Sequence, residues 1–153
     1  MKNKKVIRSF YHAANGLINA LKEERNLRFH IVIANLICIF AAFYGLDRLG
    51  WAILVLMIAL VISSELFNTA IERTVDIATK EILPLAKAAK DSSAAAVLIS
   101  AAGALAVGFC LFGNADRITY VLKTVFTNWK ILIPCLLIGT VDMIFLFKFK
   151  KMN

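Results

Sequence analysis

The chain has 153 residues, 60% of them hydrophobic, and a formal net charge of +8. Soluble proteins are only about 45–50% apolar, so this composition excludes an ordinary soluble domain and indicates an integral membrane protein. Fourteen of the eighteen Lys and Arg residues gather in three places that apolar stretches separate, and we expect no nucleic-acid partner.

The N-terminal segment is predicted to be an amphipathic helix that lies on the membrane surface. Its apolar residues recur with helical spacing, while Lys, Arg, His and Asn fill the other side. The apolar stripe consists of Val6, Ile7, Phe10, Ala13, Ala14, Leu17, Ile18 and Leu21. The first long apolar run starts only near Ile31 and has no small-residue cleavage site, so we expect an uncleaved anchor rather than a removed signal peptide.

Four apolar runs approach or reach the roughly 20 residues that a membrane-spanning helix needs. They are His30–Leu46, Trp51–Ala70, Ala94–Phe112 and Ile131–Phe147. Residues 45–50 are predicted to form a short turn between the first two runs, and Pro84 is predicted to break the helix after the second. The sequence therefore predicts an all-α integral membrane protein with a surface helix, three spans and a fourth, C-terminal span.

The connection between the third and fourth runs carries a second amphipathic pattern. Its apolar residues at helical spacing are Ile118, Val121, Leu122, Val125, Phe126 and Trp129. This stripe predicts a helix in the outer membrane interface, although a helix packed within a loop would show the same stripe.

The Lys and Arg residues of the short loops predict the orientation, because the cytoplasmic side of a membrane protein carries the excess. With the N-terminus inside, fourteen of the eighteen would be cytoplasmic. The remaining four are Arg48, Arg117, Lys123 and Lys130. Lys148, Lys150 and Lys151 directly follow the fourth run, so the C-terminus is also expected inside.

The second run keeps polar groups on one helical face. At about 100° per residue, one sector of roughly 100° holds Glu65, Asn68, Thr69, Glu72 and Asp76. A charged side chain deep in a bilayer costs about 2.5–3.5 kcal/mol, so such an acid normally faces a protein interior or a water-filled site. Carboxylates beside an amide suit Mg²⁺ bound together with substrate phosphates, and one of them could accept a proton from an alcohol. Alternatively, Glu72 and Asp76 only emerge at the cytoplasmic interface, where they pair with Arg73 or Lys80.

Other polar groups have more than one interpretation from spacing alone. Residues 23–26, Glu-Glu-Arg-Asn, are interpreted most simply as a solvated, charge-balanced helix end. Lys87, Lys90 and Asp91 fit both the positive-inside pattern and a phosphate clamp. Asp142 in the fourth run could be functional, or could lie in a subunit contact or near the interface.

Two further patterns do not indicate a site. Cys38, Cys110 and Cys135 sit inside apolar runs without paired spacing, so we expect small buried hydrophobes without a metal or a disulfide. Gly108 and Gly113 have the glycine spacing of a phosphate-binding loop, but Asn and Ala follow instead of Lys and Ser or Thr.

Three ordered segments resemble the prokaryotic diacylglycerol kinase and undecaprenol kinase family. They are EERNLRFH (23–30), ELFNTAIERTVD (65–76) and PLAKAAKD (84–91). The resemblance covers roughly Val6 to Phe112, and the first and third segments are more similar to the undecaprenol kinase branch of Gram-positive bacteria. It implies a small kinase of the bacterial cell membrane that uses ATP and Mg²⁺. It also implies a homotrimer whose active sites are shared between subunits on the cytoplasmic side.

Residue roles follow from the same resemblance. It implies that Glu65 is the general base and that Asn68 is a supporting active-site residue. Glu24 and Glu72 would hold the metal with the nucleotide phosphates, which reverses the simpler interpretation of Glu24 above. Binding of the nucleotide and its metal would involve Lys5, His12, Glu24, Glu72, Glu81, Lys90 and Asp91.

The expected substrate is a membrane lipid alcohol. Undecaprenol, which would give undecaprenyl phosphate, is favoured over diacylglycerol, which would give phosphatidic acid. A non-enzymatic membrane protein or a degenerate kinase relative is the alternative from another class, and an ion or proton pathway is a third. The intact acidic and amide residues argue against degeneration, and Lys90 with Asp91 would have no role in an ion pathway.

The sequence departs from the family after Phe112. We expect a lipid kinase membrane domain over residues 1–113 and an extension over residues 114–153, which holds the interfacial helix and the fourth span. The extension is expected to affect subunit packing and lipid access more than the chemistry.

Overall fold

The computed structural model of the chain describes residues 2–81 and 83–148, in which all regular structure is helical. The helices are α1 (Lys2–Glu23), α2 (Arg25–Tyr44), α3 (Arg48–Ala78), α4 (Pro84–Leu111), α5 (Ala115–Thr127) and α6 (Trp129–Lys148). Among them, α2, α3, α4 and α6 are long and apolar enough to cross a membrane. The predicted all-α membrane fold is confirmed. Lys150 and Lys151, on which the orientation argument draws, lie outside the described residues.

All four spanning helices are longer than their apolar runs predict, and the difference is largest for α3 and α4. α3 continues past Ala70 to Ala78, and α4 begins at Pro84 rather than at Ala94. Proline suits the first position of a helix, because the N–H that it lacks has no partner there. The polar connection between α3 and α4 is therefore confined to residues 79–83.

The length of α3 brings its acids to the edge of the membrane. Its 31 residues extend about 46 Å, whereas the hydrocarbon core of a bilayer is about 30 Å thick. Glu65 lies about 26 Å and Glu72 about 36 Å along the helix from Arg48. When the Arg48 end stands at the outer edge of the core, Glu65 is just inside the opposite edge and Glu72 is beyond it.

The turn between α2 and α3 is shorter than predicted. Gly45 adopts a φ of 75°, a left-handed conformation that glycine takes at little cost, and its N–H donates to the Ala41 carbonyl at 3.1 Å. Asp47 then caps α3 by accepting from the Gly50 N–H at 2.8 Å. The predicted short turn is confirmed, but the last three residues of the predicted turn, 48–50, belong to α3.

The bundle leaves an open apolar groove. α3 packs along α4, α2 packs on α3, and α1 crosses to contact both α2 and α3. A groove of about 700 Å³ lies between α2, α3 and α4 and extends from His30 to Ile118. The apolar side chains Ile7 and Phe10 of α1 are exposed in the single chain, as expected for a helix that rests on a membrane surface.

The extension packs against the rest of the chain through α2, which contacts both α5 and α6. Val121 is buried and Ile118 lines the apolar groove, while Leu122 and Phe126 remain exposed. α5 is therefore partly a packed connection and partly an exposed amphipathic helix. Trp129, predicted as the last residue of the α5 stripe, instead begins α6.

The cysteines are free, but none of them is fully buried as predicted. Cys38 and Cys135 are half-buried and Cys110 is exposed. The prediction of burial is wrong for Cys110, because the apolar part of α4 has no buried residue in the single chain.

Candidate active site

Three carboxylates from two parts of the chain lie near one another, two on the C-terminal half of α3 and one at the corner between α1 and α2. Glu65 and Glu72 lie two turns apart on α3, and Glu24 forms the one-residue corner between α1 and α2. Glu65 is only 3% exposed, and both Glu24 and Glu72 are close enough to interact with it electrostatically. Acids gathered in this way repel one another, so the group favours a bound cation or a proton among its members.

Asn68 connects this carboxylate group to α4. The buried Ser93 hydroxyl lies 2.6 Å from Asn68 Oδ1 and donates to it, and Asn68 Nδ2 donates to Glu72 Oε1 at 3.0 Å. The same hydroxyl lies 2.8 Å from the Lys90 carbonyl. The Asn68 amide is held in one orientation, because its oxygen and its nitrogen both form hydrogen bonds. This chain of hydrogen bonds therefore orients the Glu72 carboxylate.

The Glu24 corner is held against α3 by an arginine. Arg73 Nη2 lies 2.9 Å from Glu23 Oε2 and 3.4 Å from Glu24 Oε1. The Asn26 side chain, on the second residue of α2, forms a hydrogen bond with Glu65. Glu23, Glu24 and Asn26 therefore contact side chains of α3 and do not form a helix end that meets only solvent.

The donor set of the site suits a hard cation that binds together with phosphates. Within residues 2–81 and 83–148, no three His, Cys, Asp or Glu side chains are arranged to hold a metal by themselves. Mg²⁺, however, is usually bound by one or two carboxylates plus substrate phosphates. Asn68 occupies Oε1 of Glu72, so Oε2 is the oxygen that a cation would meet. Glu24, whose Oε1 has only the 3.4 Å contact to Arg73, supplies a second carboxylate.

A basic cavity of about 440 Å³ lies beside the carboxylates, where α3 ends and α4 begins. Its polar lining residues are Asp76, Thr79, Lys80, Glu81, Lys87 and Lys90. Lys90 Nζ forms an ion pair with Asp76 Oδ1, so Asp76 pairs with Lys90 rather than with Arg73 or Lys80. Three lysines around one cavity favour an anion such as a polyphosphate.

The structure gathers some of the predicted site residues and leaves others apart. Four of them lie near one another beside α3, namely the acids Glu24, Glu65 and Glu72 and the amide Asn68. Two others, Glu81 and Lys90, line the basic cavity. The remaining three are Lys5, His12 and Asp91, all of them exposed. Within the described part of the chain, no hydrogen bond or ion pair connects these three to the carboxylates.

Sequence analysis missed two residues that organise the site. Arg73 was considered only as an interfacial partner of Glu72 or Asp76, yet it pairs with Glu23 and Glu24. Ser93 was not singled out, although it is buried and holds Asn68. Ser93 follows the Lys90-Asp91 pair on the face of α4 that packs on α3, but only knowledge of that packing identifies its partner.

The chain is similar in sequence to proteins of known activity. A family model described as prokaryotic diacylglycerol kinase matches residues 11–112. An undecaprenol kinase of Bacillus subtilis (strain 168) is 41% identical over 69% of this chain and 85% of its own length. A diacylglycerol kinase of Synechocystis sp. is 38% identical over 67% of this chain and 59% of its own length. A diacylglycerol kinase of Helicobacter pylori is 35% identical over 63% of this chain and 75% of its own length. No solved structure matches the chain.

Proposed function

The chain belongs to the prokaryotic diacylglycerol kinase family and is a multi-pass membrane lipid kinase, and we propose that it transfers the γ-phosphate of ATP to the hydroxyl of undecaprenol. Of the relatives named above, the undecaprenol kinase has the higher identity and is covered over more of its length. Diacylglycerol is the alternative acceptor, because the other two relatives are diacylglycerol kinases.

The observation that supports this reaction most strongly is the position of the buried Glu65 carboxylate between two different environments. With the Arg48 end of α3 at one edge of the membrane core, Glu65 would lie just inside the other edge, one turn from Val61, which lines the apolar groove. The basic cavity begins at Val75, about three turns or 15 Å further along α3 from Glu65 and about one turn from Glu72. A lipid alcohol can present its hydroxyl from the membrane side, while a polyphosphate approaches from the aqueous side.

The proposed chemistry is an in-line transfer of the γ-phosphoryl group from ATP to the lipid hydroxyl, without a covalent intermediate on the protein. Glu65 accepts the proton of the lipid hydroxyl as its oxygen forms a bond to the γ-phosphorus. The bond between the γ-phosphorus and the bridging oxygen breaks, and ADP leaves with the electron pair. Asn68, fixed by Ser93, keeps the neighbouring groups in place. Positioning and electrostatic stabilisation provide most of the catalysis in phosphoryl transfer.

The remaining predicted residues are proposed to bind the nucleotide and its metal. Glu24 and Glu72 would hold Mg²⁺, which when bound neutralises charge on the phosphoryl oxygens. Lys90 and Glu81 line the basic cavity and would contact the nucleotide. Lys5, His12 and Asp91 would reach the nucleotide only if it extends out of that cavity, and their roles rest on the family resemblance alone.

We further propose that the site faces the cytoplasm and that the protein is a homotrimer. The cytoplasmic orientation rests on the excess of Lys and Arg in the segments around α1 and the α3–α4 connection. The trimer is supported by α4, whose apolar part has no buried residue in the single chain. Such a face is available to neighbouring subunits.

The test is a direct comparison of acceptors. Purified protein in lipid vesicles is given γ-labelled ATP and Mg²⁺ with undecaprenol, with diacylglycerol, or with neither. We expect label to appear in undecaprenyl phosphate, and omission of Mg²⁺ should abolish transfer. Label in phosphatidic acid alone would establish diacylglycerol as the acceptor, and transfer to neither lipid would contradict the proposed function.

A further inference from the structure

The C-terminal extension lies beyond the family match, yet a polar contact within the apolar bundle connects it to α2. Asn35 Nδ2 donates to Asp142 Oδ2 at 2.8 Å, and both residues are half-buried. Asn35 lies in the middle of α2, and Asp142 lies in α6. A hydrogen bond between spanning helices fixes their register, because neither polar group has water nearby as an alternative partner.

A second contact connects the inner end of α6 to the end of α1. The buried Arg28 donates from Nε to the Leu146 carbonyl at 3.3 Å, and from Nη1 to the Leu21 and Lys22 carbonyls at 2.8 and 3.1 Å. The Leu21 and Lys22 carbonyls belong to the last turn of α1, where no N–H of that helix remains to donate. A cation at the C-terminus of α1 is also favoured by the helix dipole. One guanidinium thus connects the end of α1 to α6.

Arg28 encloses the corner that Glu24 occupies. Its side chain binds the carbonyls just before the corner, and its own backbone N–H lies 3.4 Å from the Glu24 carbonyl. Glu24 has an extended conformation, with φ −97° and ψ 112°, and its N–H donates to Ala20 at 2.8 Å. The direction of the Glu24 side chain therefore depends on how Arg28 is held, and Leu146 of the extension is one of the groups that hold it.

We propose that the extension positions the kinase site: the Asn35–Asp142 hydrogen bond docks α6 on α2, and the Leu146 carbonyl then orients Arg28, which fixes the Glu24 corner. Asp142, Asn35 and Arg28 are positioning residues that do not touch the reacting atoms. The consequence for metal binding rests on the proposed function, in which Glu24 holds Mg²⁺. The docking of α6 on α2 does not rest on the proposed function.

The test uses full-length variants that break the same hydrogen bond from either side. Asp142→Ala and Asn35→Ala each remove it, and the second leaves the composition of α6 unchanged. The exchanged pair Asn35→Asp with Asp142→Asn can form it again. Thr140→Val is the matched control, because Thr140 is exposed on α6 and its hydroxyl donates only to the Leu137 carbonyl of the same helix.

Two measurements separate positioning from simple stabilisation. Loss of a group that orients a metal ligand typically weakens metal affinity or activity by about 10–100-fold. We expect both single variants to raise the Mg²⁺ concentration for half-maximal turnover by about that factor, with the KM for undecaprenol unchanged. Amide hydrogen exchange of residues 21–27, measured without substrates, should become faster in the same variants. The exchanged pair should restore both values, and Thr140→Val should change neither.

Each outcome decides a different part of the proposal. Unchanged exchange in both single variants would show that α6 does not hold the corner. Faster exchange with an unchanged Mg²⁺ requirement would mean that α6 stabilises the corner without positioning Glu24 for metal binding, and would refute that part of the proposal. Failure of the exchanged pair to restore either value would show that the hydrogen bond is not the docking contact. Absence of kinase activity in the wild type would overturn the proposed function, while the exchange comparison would still decide the docking.

Discussion

Replacing Glu65 with glutamine should separate proton transfer from nucleotide binding. Glu65 and Glu72 are two turns and about 10 Å apart along α3, so they do not serve the same atom at once. Glutamine keeps the shape of the side chain but cannot take the hydroxyl proton. We expect turnover to fall by 10²–10⁴-fold, which corresponds to about 3–5 kcal/mol of barrier height, with Mg²⁺-dependent ATP binding nearly unchanged.

The matched substitution Glu72→Gln should have the opposite effect. The Asn68 amide donates to Glu72 Oε1, and a glutamine Oε1 can still accept that hydrogen bond, so the local structure should persist. The variant loses the negative charge that is proposed to hold Mg²⁺. We therefore expect weaker Mg²⁺-dependent ATP binding. Asp116→Asn is the control, because Asp116 is exposed on α5 and, within the described residues, has no hydrogen bond or ion pair with the site.

The measurement combines affinity and turnover on the same preparations. The affinity of a fluorescent, non-hydrolysable ATP analogue is determined with and without Mg²⁺, and turnover is determined at saturating ATP and lipid. Loss of Mg²⁺-dependent binding in Glu65→Gln with retention in Glu72→Gln would reverse the assignment. Normal turnover in both variants would mean that the carboxylate face is structural and that the proposed mechanism is wrong.

Three further predictions concern the surroundings of the site. Ser93→Ala should leave Asn68 Oδ1 without its donor, which should lower the free energy of unfolding by about 1–3 kcal/mol. Both thermal stability and turnover should fall, and unchanged values of both would refute the role of Ser93. Lys90→Gln should raise the KM for ATP by about 10–100-fold through the loss of a charge-assisted hydrogen bond without changing the KM for lipid, and equal effects on both constants would contradict this. In a variant whose three native cysteines are replaced by alanine, a cysteine introduced at Asn153 should not react with an impermeant thiol reagent in intact cells. Rapid labelling would show that the C-terminus lies outside and would contradict the proposed orientation of α6.

The sequence by itself was sufficient to predict the fold class and the acidic face of α3. Four apolar runs of spanning length and one helical repeat are local properties that need no knowledge of neighbouring helices. Glu65, Asn68 and Glu72 share a sector of one helix, so their alignment follows from 3.6 residues per turn. An acid inside an apolar run must face protein or water, and the burial of Glu65 agrees with that expectation.

Helix ends were predicted less well than helix cores. Hydropathy reports where a chain enters lipid, but α3 and α4 continue as helices past the apolar region. Backbone hydrogen bonds inside a helix do not depend on whether its side chains meet lipid or water, so the boundary of the apolar run is not the boundary of the helix.

Only the tertiary structure decided which polar groups meet. Arg73 binds Glu23 and Glu24, and Asn35 binds Asp142, across separations of 49 and 107 residues along the chain. The interpretation of Asp142 as a subunit or interface residue was incomplete for the same reason, because its partner lies within its own chain. A hydrogen bond or ion pair acts over about 3 Å, and such proximity between distant segments depends on how helices cross, which hydrophobic periodicity does not specify.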